Sequence, residues 1–116
     1  MSLGVQFVNR LLAHFAQLPE GFQLQMSEWH HIHKVDAPSG TAITLQKSLQ
    51  EVVADTLPEI ISHREGEIFG IHEIEAKSNE EIITLKHEAL NRDVFSKGAI
   101  TAVRGLLGKP AGRYYL

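Results

Sequence analysis

The sequence predicts an α+β domain in which a mixed, mostly antiparallel four-stranded sheet carries helices on one face. Two observations support this prediction. Apolar residues recur every three to four positions in three segments and alternate with polar residues in four others. The order is helix, strand, helix, three strands and helix, without the regular strand–helix alternation of a parallel sheet. The 116 residues correspond to one domain.

The first two elements are a helix over residues 3–18 and a strand over residues 22–31. The apolar side chains of the helix lie on one face; they are Val5, Val8, Leu11, Leu12, Phe15 and Leu18. Pro19 and Gly21 end this helix, because neither residue supports its continuation. In the strand, apolar and polar residues alternate, which is typical of a strand with one buried face.

Two further helices are predicted over residues 40–56 and 93–107. The first ends at Pro58 and has either Ser39 or Thr41 as its N-cap, since both hydroxyls can accept a hydrogen bond from the first turn. The second ends where glycine and then proline follow its last apolar residues.

Three short strands are predicted between these helices, over residues 59–63, 68–77 and 81–89. A tight turn at Ser78 and Asn79 makes the last two an antiparallel hairpin. Apolar residues occur at both alternating sets of positions in these strands, for example at Ile82 and Ile83 and at Phe69 and Ile74. We therefore expect the second face of the sheet to pack against another subunit.

The composition excludes several classes of protein. A net charge of −3 argues against a nucleic-acid partner, because phosphate binding requires a basic surface. The absence of cysteine removes disulfides and thiolate metal sites and fits a cytoplasmic location. No apolar run is long enough to cross a membrane, and we expect no membrane partner.

Residues 28–42 contain most of the chemically reactive side chains. Three histidines, a lysine and an aspartate fall within residues 30–36, and Pro-Ser-Gly-Thr follows at the start of the predicted helix. Proton donors and acceptors thus come next to helix N–H groups that can bind an anion. Taken alone, these residues could equally be ordinary polar side chains at the end of a strand.

A zinc site is a weaker interpretation of the same segment. Its ligands would be His30, His31 and His33, but strand alternation sends His30 to one face and the other two to the opposite face. The cationic Lys34 also opposes a dication. Asp36 is expected to hold the loop through hydrogen bonds. The sequence predicts no metal site.

The segment resembles the signature of dihydrodipicolinate reductase, the 4-hydroxy-tetrahydrodipicolinate reductase family. All ten fixed positions match: Glu28, His30, His31, Lys34, Asp36, Pro38, Ser39, Gly40, Thr41 and Ala42. Residues 64–72 and 92–99 resemble two further segments of that family, and residues 2–5 resemble the start of its C-terminal substrate domain.

The resemblance implies roles for five residues. His30 is the general acid/base and Lys34 donates a proton to the reduced substrate. His31, Gly40 and Thr41 bind the substrate, which is a dicarboxylate. For Arg92 and Phe95, contact with the cofactor or hinge and an ordinary structural role remain equally open. We expect ordinary surface or sheet roles for the remaining histidines, which are His14, His63, His72 and His87.

The resemblance also implies an oxidoreductase that converts 4-hydroxy-tetrahydrodipicolinate to tetrahydrodipicolinate with NADH or NADPH, in the diaminopimelate route to lysine. The chain contains no Gly-x-Gly-x-x-Gly turn after an apolar run, so we expect residues 1–116 to lack the family's N-terminal dinucleotide-binding domain. The isolated chain would then bind no cofactor and show no turnover. The family implies a homotetramer assembled through the sheet. The alternative is a standalone, non-catalytic dicarboxylate-binding or assembly module.

Overall fold

The computed structural model describes residues 2–93 and confirms the predicted α+β class. The elements are α1 (Leu3–Leu11), a 3₁₀-helix (Leu12–Gln17), β1 (Gln23–His30), α2 (Gly40–Gln50), β2 (Ile61–Arg64), β3 (Ile71–Lys77) and β4 (Ile82–Glu88). Their order agrees with the predicted order. The last predicted helix, residues 93–107, lies outside the described residues except for Asp93.

The four strands form one mixed sheet in the order β2-β1-β3-β4. β1 runs parallel to β2 and antiparallel to β3, and β3 pairs antiparallel with β4. The predicted hairpin between β3 and β4 is present, and its turn is closed by the Ser78 N–H, which donates to the Glu81 carbonyl at 2.9 Å. Within residues 2–93, β1 and β2 form the one parallel pair, which places their carboxyl ends side by side.

Both helices begin at a serine that caps them. Ser2 accepts a hydrogen bond from the Val5 N–H at the start of α1, and Ser39 accepts one from the Ala42 N–H at the start of α2. The structure thus identifies Ser39, and not Thr41, as the N-cap of α2. Each serine satisfies an amide that has no partner within its helix.

The helix α2 ends six residues before the predicted limit of residue 56. The amides of Val52 and Val53 both donate to the Leu49 carbonyl, which closes the last turn. The Gln50 side chain then accepts a hydrogen bond from the Leu57 N–H at 2.8 Å. This side-chain bond competes with helix continuation, and helix periodicity alone does not reveal it.

The core lies between the helices and one face of the sheet. Its buried members come from α1 and the adjoining 3₁₀-helix, from α2, and from β1 and β3; they are Val5, Val8, Leu12, Leu45, Leu49, Met26 and Ile74. On the opposite face Trp29 stacks on His63 with ring centroids 4.7 Å apart. Each helix within residues 2–93 is too short and too polar to cross a membrane.

Candidate active site

Adjacent strands bring five titratable side chains to one end of the core-facing surface of the sheet. Glu28 and His30 are two residues apart on β1 and therefore share that face. Arg64 on β2 lies in register with His30, and His72 on β3 lies in register with Glu28. His87 on β4 is in turn the register partner of His72.

Glu28 is the hydrogen-bonding centre of this group and is 0% exposed. Its Oε1 accepts from His30 Nδ1 at 2.9 Å and from Arg64 Nη1 at 2.7 Å. Its Oε2 accepts from the backbone N–H of Ser39. Burial opposes the charge of this carboxyl, but the hydrogen bonds from Ser39, Arg64 and His30 outweigh burial and lower the pKa of Glu28. Glu28 is therefore ionised at neutral pH.

The bond to Glu28 fixes the tautomer of His30. An ionised carboxylate only accepts hydrogen bonds, so the imidazole proton lies on Nδ1 and the lone pair on Nε2. Burial lowers the pKa of His30; Glu28 opposes this effect, and the positive charges of Lys34 and Arg64 add to it. His30 is 7% exposed and uncharged at pH 7.

Gly70 leaves space beside the Nε2 atom of His30. A Cβ at this position would lie 3.2 Å from that nitrogen, and the φ angle of Gly70 is +149°, which L side chains rarely adopt. Glycine is thus required here for two independent reasons. Its absent side chain keeps the unprotonated nitrogen of His30 free of a close protein neighbour.

The loop from β1 to α2 carries Lys34, whose positive charge lowers the pKa of His30. Lys34 Nζ forms an ion pair with Asp36 Oδ1 at 3.1 Å, and the hydrogen bond from Lys34 lowers the pKa of Asp36. The predicted loop-holding role of Asp36 agrees with this contact. The Lys34 side chain is 26% exposed, so its ammonium remains accessible to a ligand.

The predicted anion-binding residues lie at the start of α2. A Cβ added to Gly40 would have no atom within 4 Å, so the space above this residue is open, and Thr41 is partly exposed. The helix dipole favours negative charge at the first amides of α2. His31 is half-buried in the loop, with its ring centroid 6.2 Å from that of the exposed His33.

His72 and His87 lie on strands of the sheet, as expected, but they are grouped with His30 and are not isolated side chains. His72 is 2% exposed, and its ring meets that of His30 edge to face with centroids 5.3 Å apart. His87 lies against Gly4 of α1 and within 3.4 Å of Ser2 Oγ. His72 and the apolar Ile74 are two residues apart on β3 and therefore face the same side of the sheet. This spacing was a sequence signal that His72 is buried. His63 and His14 have the ordinary sheet and surface roles expected of them.

The described residues contain two further features that bear on site assignment. Within residues 2–93, no three His, Asp or Glu side chains form a group that could bind a metal ion. A cavity of about 1000 Å³ lies at the opposite end of β1, between the 3₁₀-helix and the segment after α2; its lining includes Phe15, Phe22, Leu24, Val53 and Leu57. The predicted site residues do not line this cavity.

We expect His72 to make folding sensitive to acid. Burial lowers the pKa of His72 to about 4 from 6.5. Between these two pH values the unfolded chain binds a proton that the folded chain excludes. Stability is therefore complete above pH 6.5 and falls as the pH decreases toward 4, by about 2 kcal/mol at pH 5.

Urea unfolding at pH 7 and pH 5 measures this loss, and His72→Asn should lessen it because asparagine does not titrate. The exposed His14→Asn is the matched control and should retain the wild-type loss. The lowered pKa values of His30 and Glu28 also reduce folding stability at low pH in all three proteins. The difference in loss between the variants therefore measures the contribution of His72. An equal loss in wild type and His72→Asn would contradict the assignment.

Comparison with known sequences supports a relationship along the whole chain. The profile of the family described as "Dihydrodipicolinate reductase, C-terminus" matches residues 4–116. The 4-hydroxy-tetrahydrodipicolinate reductase of Bdellovibrio bacteriovorus is 46% identical over 116 residues, which are 100% of this chain and 50% of that protein. The enzyme of the same name from Xanthomonas axonopodis pv. citri is 42% identical over 113 residues, 97% of this chain and 47% of that protein.

A solved structure shows the same fold. The dipicolinate-bound dihydrodipicolinate reductase from Paenisporosarcina sp. TG-14 is similar over 90% of this chain and 46% of that chain, with a TM-score of 0.72 and 23% sequence identity. At this identity the likeness concerns the fold alone. The chain spans about half the length of the curated relatives it matches.

Proposed function

The chain belongs to the family described as dihydrodipicolinate reductase, C-terminus, and from this premise we propose that it is the substrate-binding half of a 4-hydroxy-tetrahydrodipicolinate reductase. The whole enzyme would be an oxidoreductase of lysine biosynthesis that reduces hydroxy-tetrahydrodipicolinate, with loss of water, to tetrahydrodipicolinate. One observation of the structure carries the proposal: a neutral imidazole with a free Nε2 lies within the electrostatic influence of a lysine in the loop that leads to the open start of a helix.

The start of α2 supplies the binding site for one substrate carboxylate. The amides of Gly40 and Thr41 and the hydroxyl of Thr41 are the donors, and the helix dipole adds a favourable field. Hydrogen bonds to a charged group are stronger than those to a neutral one, so a dianionic ring gains more here than a neutral analogue. His31 is proposed as a further contact from the loop above.

Proton transfer is assigned to His30 and Lys34. The Nε2 atom of His30 accepts a hydrogen bond or a proton, because Glu28 holds the ring proton on Nδ1. Lys34 brings a positive charge and a proton to the ring of the substrate, where negative charge develops on reduction. Each group is held by a carboxylate, His30 by Glu28 and Lys34 by Asp36.

The reductant would be NADH or NADPH, which supplies the hydride. The described residues do not fit a dinucleotide. Their positive-φ glycines are Gly21, Gly66 and Gly70, and none of these connects a strand to the start of a helix, as a pyrophosphate-binding turn does. We therefore propose that a separate domain of the whole enzyme holds the cofactor and that residues 1–116 alone do not oxidise it.

The outer face of the sheet is proposed as the surface of a homotetramer. Trp29, Ile61 and Ile71 lie on this face, and the Trp29–His63 stack lies between the first two strands. Ile61 is 46% exposed in the single chain. Burying such side chains against a second copy would remove apolar surface from water, which is a favourable contribution to assembly.

Binding of dipicolinate, a planar dicarboxylate, tests the proposed function in this chain without a cofactor. We expect isothermal titration calorimetry to show one site per chain. Thr41→Val should weaken this binding by about tenfold or more, since it removes a hydrogen bond to a charged group. Val retains the shape and β-branching of Thr, so the helix start should be preserved.

Thr84→Val is the matched control, because Thr84 is exposed on β4 and away from the site. Its affinity for dipicolinate should equal that of the wild type. No heat of binding from wild-type protein, or equal affinities in Thr41→Val and wild type, would contradict the proposed site.

A further inference from the structure

Arg64 is connected to both proposed proton-transfer groups. Its Nη1 donates to Glu28 Oε1 at 2.7 Å, and the same oxygen accepts from His30 Nδ1 at 2.9 Å. Its Nη2 donates to the backbone carbonyl of Asp36 at 2.6 Å, and the Asp36 carboxylate holds Lys34 Nζ at 3.1 Å. A continuous chain of contacts thus runs from the imidazole of His30 to the ammonium of Lys34 through one guanidinium.

We propose that Arg64 is a positioning residue that holds the imidazole of His30 and the loop of Lys34 in a fixed mutual arrangement. This inference deepens the proposed function and rests on it for the roles of His30 and Lys34. Arg64 itself is not assigned a contact with substrate.

The planar fork of arginine suits this task. The two terminal nitrogens of Arg64 point to acceptors on different segments, the strand β1 and the loop before α2, and Nη1 also donates to the His63 carbonyl at 2.9 Å. A lysine has one charged nitrogen and cannot hold both acceptors in the same plane. β2 is a short parallel strand, and its pairing with β1 places Arg64 directly beside His30.

The charge of Arg64 also contributes to the lowered pKa of His30. The charged and titratable groups facing this ring are Glu28 from β1, Arg64 from β2, His72 from β3 and Lys34 from the loop. Glu28 is the only anion among these four, and it favours the imidazolium. Burial is the largest cause of the lowered pKa of His30, and Arg64, which shares the same carboxylate oxygen, adds a smaller effect in the same direction.

The test is a pH titration of histidine side chains by ¹H–¹⁵N NMR of the 116-residue chain. We expect Arg64→Gln to raise the pKa of His30, because a nearby cation is lost and the charge of Glu28 is no longer offset. Arg64→Lys should raise it less, since the charge remains while the double contact is lost. Faster hydrogen exchange of the Lys34 amide, which donates to the His31 carbonyl, should accompany both changes.

Arg10→Gln is the matched control, because Arg10 is exposed on α1 and lies over the Phe7 ring, away from the site. This variant should leave the pKa of His30 unchanged. The surface His14 should not move in any variant. If Arg64→Gln does not fold, Arg64→Lys decides the question by the same readout.

An unchanged pKa of His30 in the Arg64 variants would overturn the inference, and so would equal movement of His30 and His14. The titration contains no substrate, and its outcome is therefore separate from the proposed function. Failure of the wild-type chain to bind dipicolinate would overturn that function, whereas an unchanged pKa of His30 in the Arg64 variants overturns only the role of Arg64.

Discussion

Replacing His30 by asparagine should reduce turnover of the intact reductase by about 10²- to 10⁴-fold, the usual contribution of a general acid or base. The amide nitrogen of asparagine can occupy the place of Nδ1 and keep the hydrogen bond to Glu28. The variant then differs from the wild type mainly in lacking the free Nε2 atom. We expect its affinity for dipicolinate and its stability at neutral pH to remain close to those of the wild type.

Oxidation of NADH or NADPH, followed by absorbance, measures the effect in the protein that carries this chain beside a cofactor domain. His33→Asn is the matched control, because His33 is exposed in the same loop and has no contact with Glu28 among the described hydrogen bonds. Its turnover should equal that of the wild type. A His30→Asn protein that keeps more than a tenth of wild-type turnover would exclude His30 as the acid/base.

The fold was predictable because its patterns are local. Helix periodicity before residue 18 and strand alternation around Met26 and Ile74 depend on neighbours in sequence, and both patterns gave the expected type of element. The helix predicted over residues 3–18 is α-helical only to Leu11 and continues as a 3₁₀-helix to Gln17. The misplaced end of α2 depends on the side chain of Gln50, which takes the Leu57 amide as its partner. Such side-chain competition with the helix has no periodic signature.

The site was predictable only in its local part. The segment from His30 to Thr41 is contiguous, so its resemblance to the family identified His30, His31, Lys34, Gly40 and Thr41 as candidates. Those five roles remain proposals. Arg64 and His72 join the site through strand pairing, because β2 and β3 flank β1. Sequence spacing gives no information on which strands become neighbours, and the sequence therefore placed neither residue in the site.

The role of Glu28 was missed for a different reason. It lies inside the recognised segment, but a carboxylate on a strand is usually exposed. Here it is 0% exposed, because three donors from three segments converge on it. A buried charge is tolerated only when it is paired in this way. Glu28 is two residues from Met26 on the same strand, and this spacing was the sequence signal that its side chain faces the core.

Replacing Lys34 by methionine should also reduce turnover of the intact reductase by about 10²- to 10⁴-fold, through loss of the proton donor. Folding should be unaffected, because the Lys34–Asp36 pair is partly solvated and such pairs contribute little to stability. Lys47→Met is the matched control, since Lys47 is exposed on α2. Its turnover should equal that of the wild type.

A second variant separates the charge of Lys34 from its proton. Lys34→Arg keeps the positive charge and can keep the pair with Asp36, but a guanidinium does not release its proton near neutral pH. We expect turnover to remain low in this variant. The pKa of His30 should rise in Lys34→Met, because the lysine charge lowers it, and stay unchanged in Lys34→Arg. Wild-type turnover in Lys34→Arg would show that the charge alone is required, and Lys34 would then stabilise the reduced ring without donating to it.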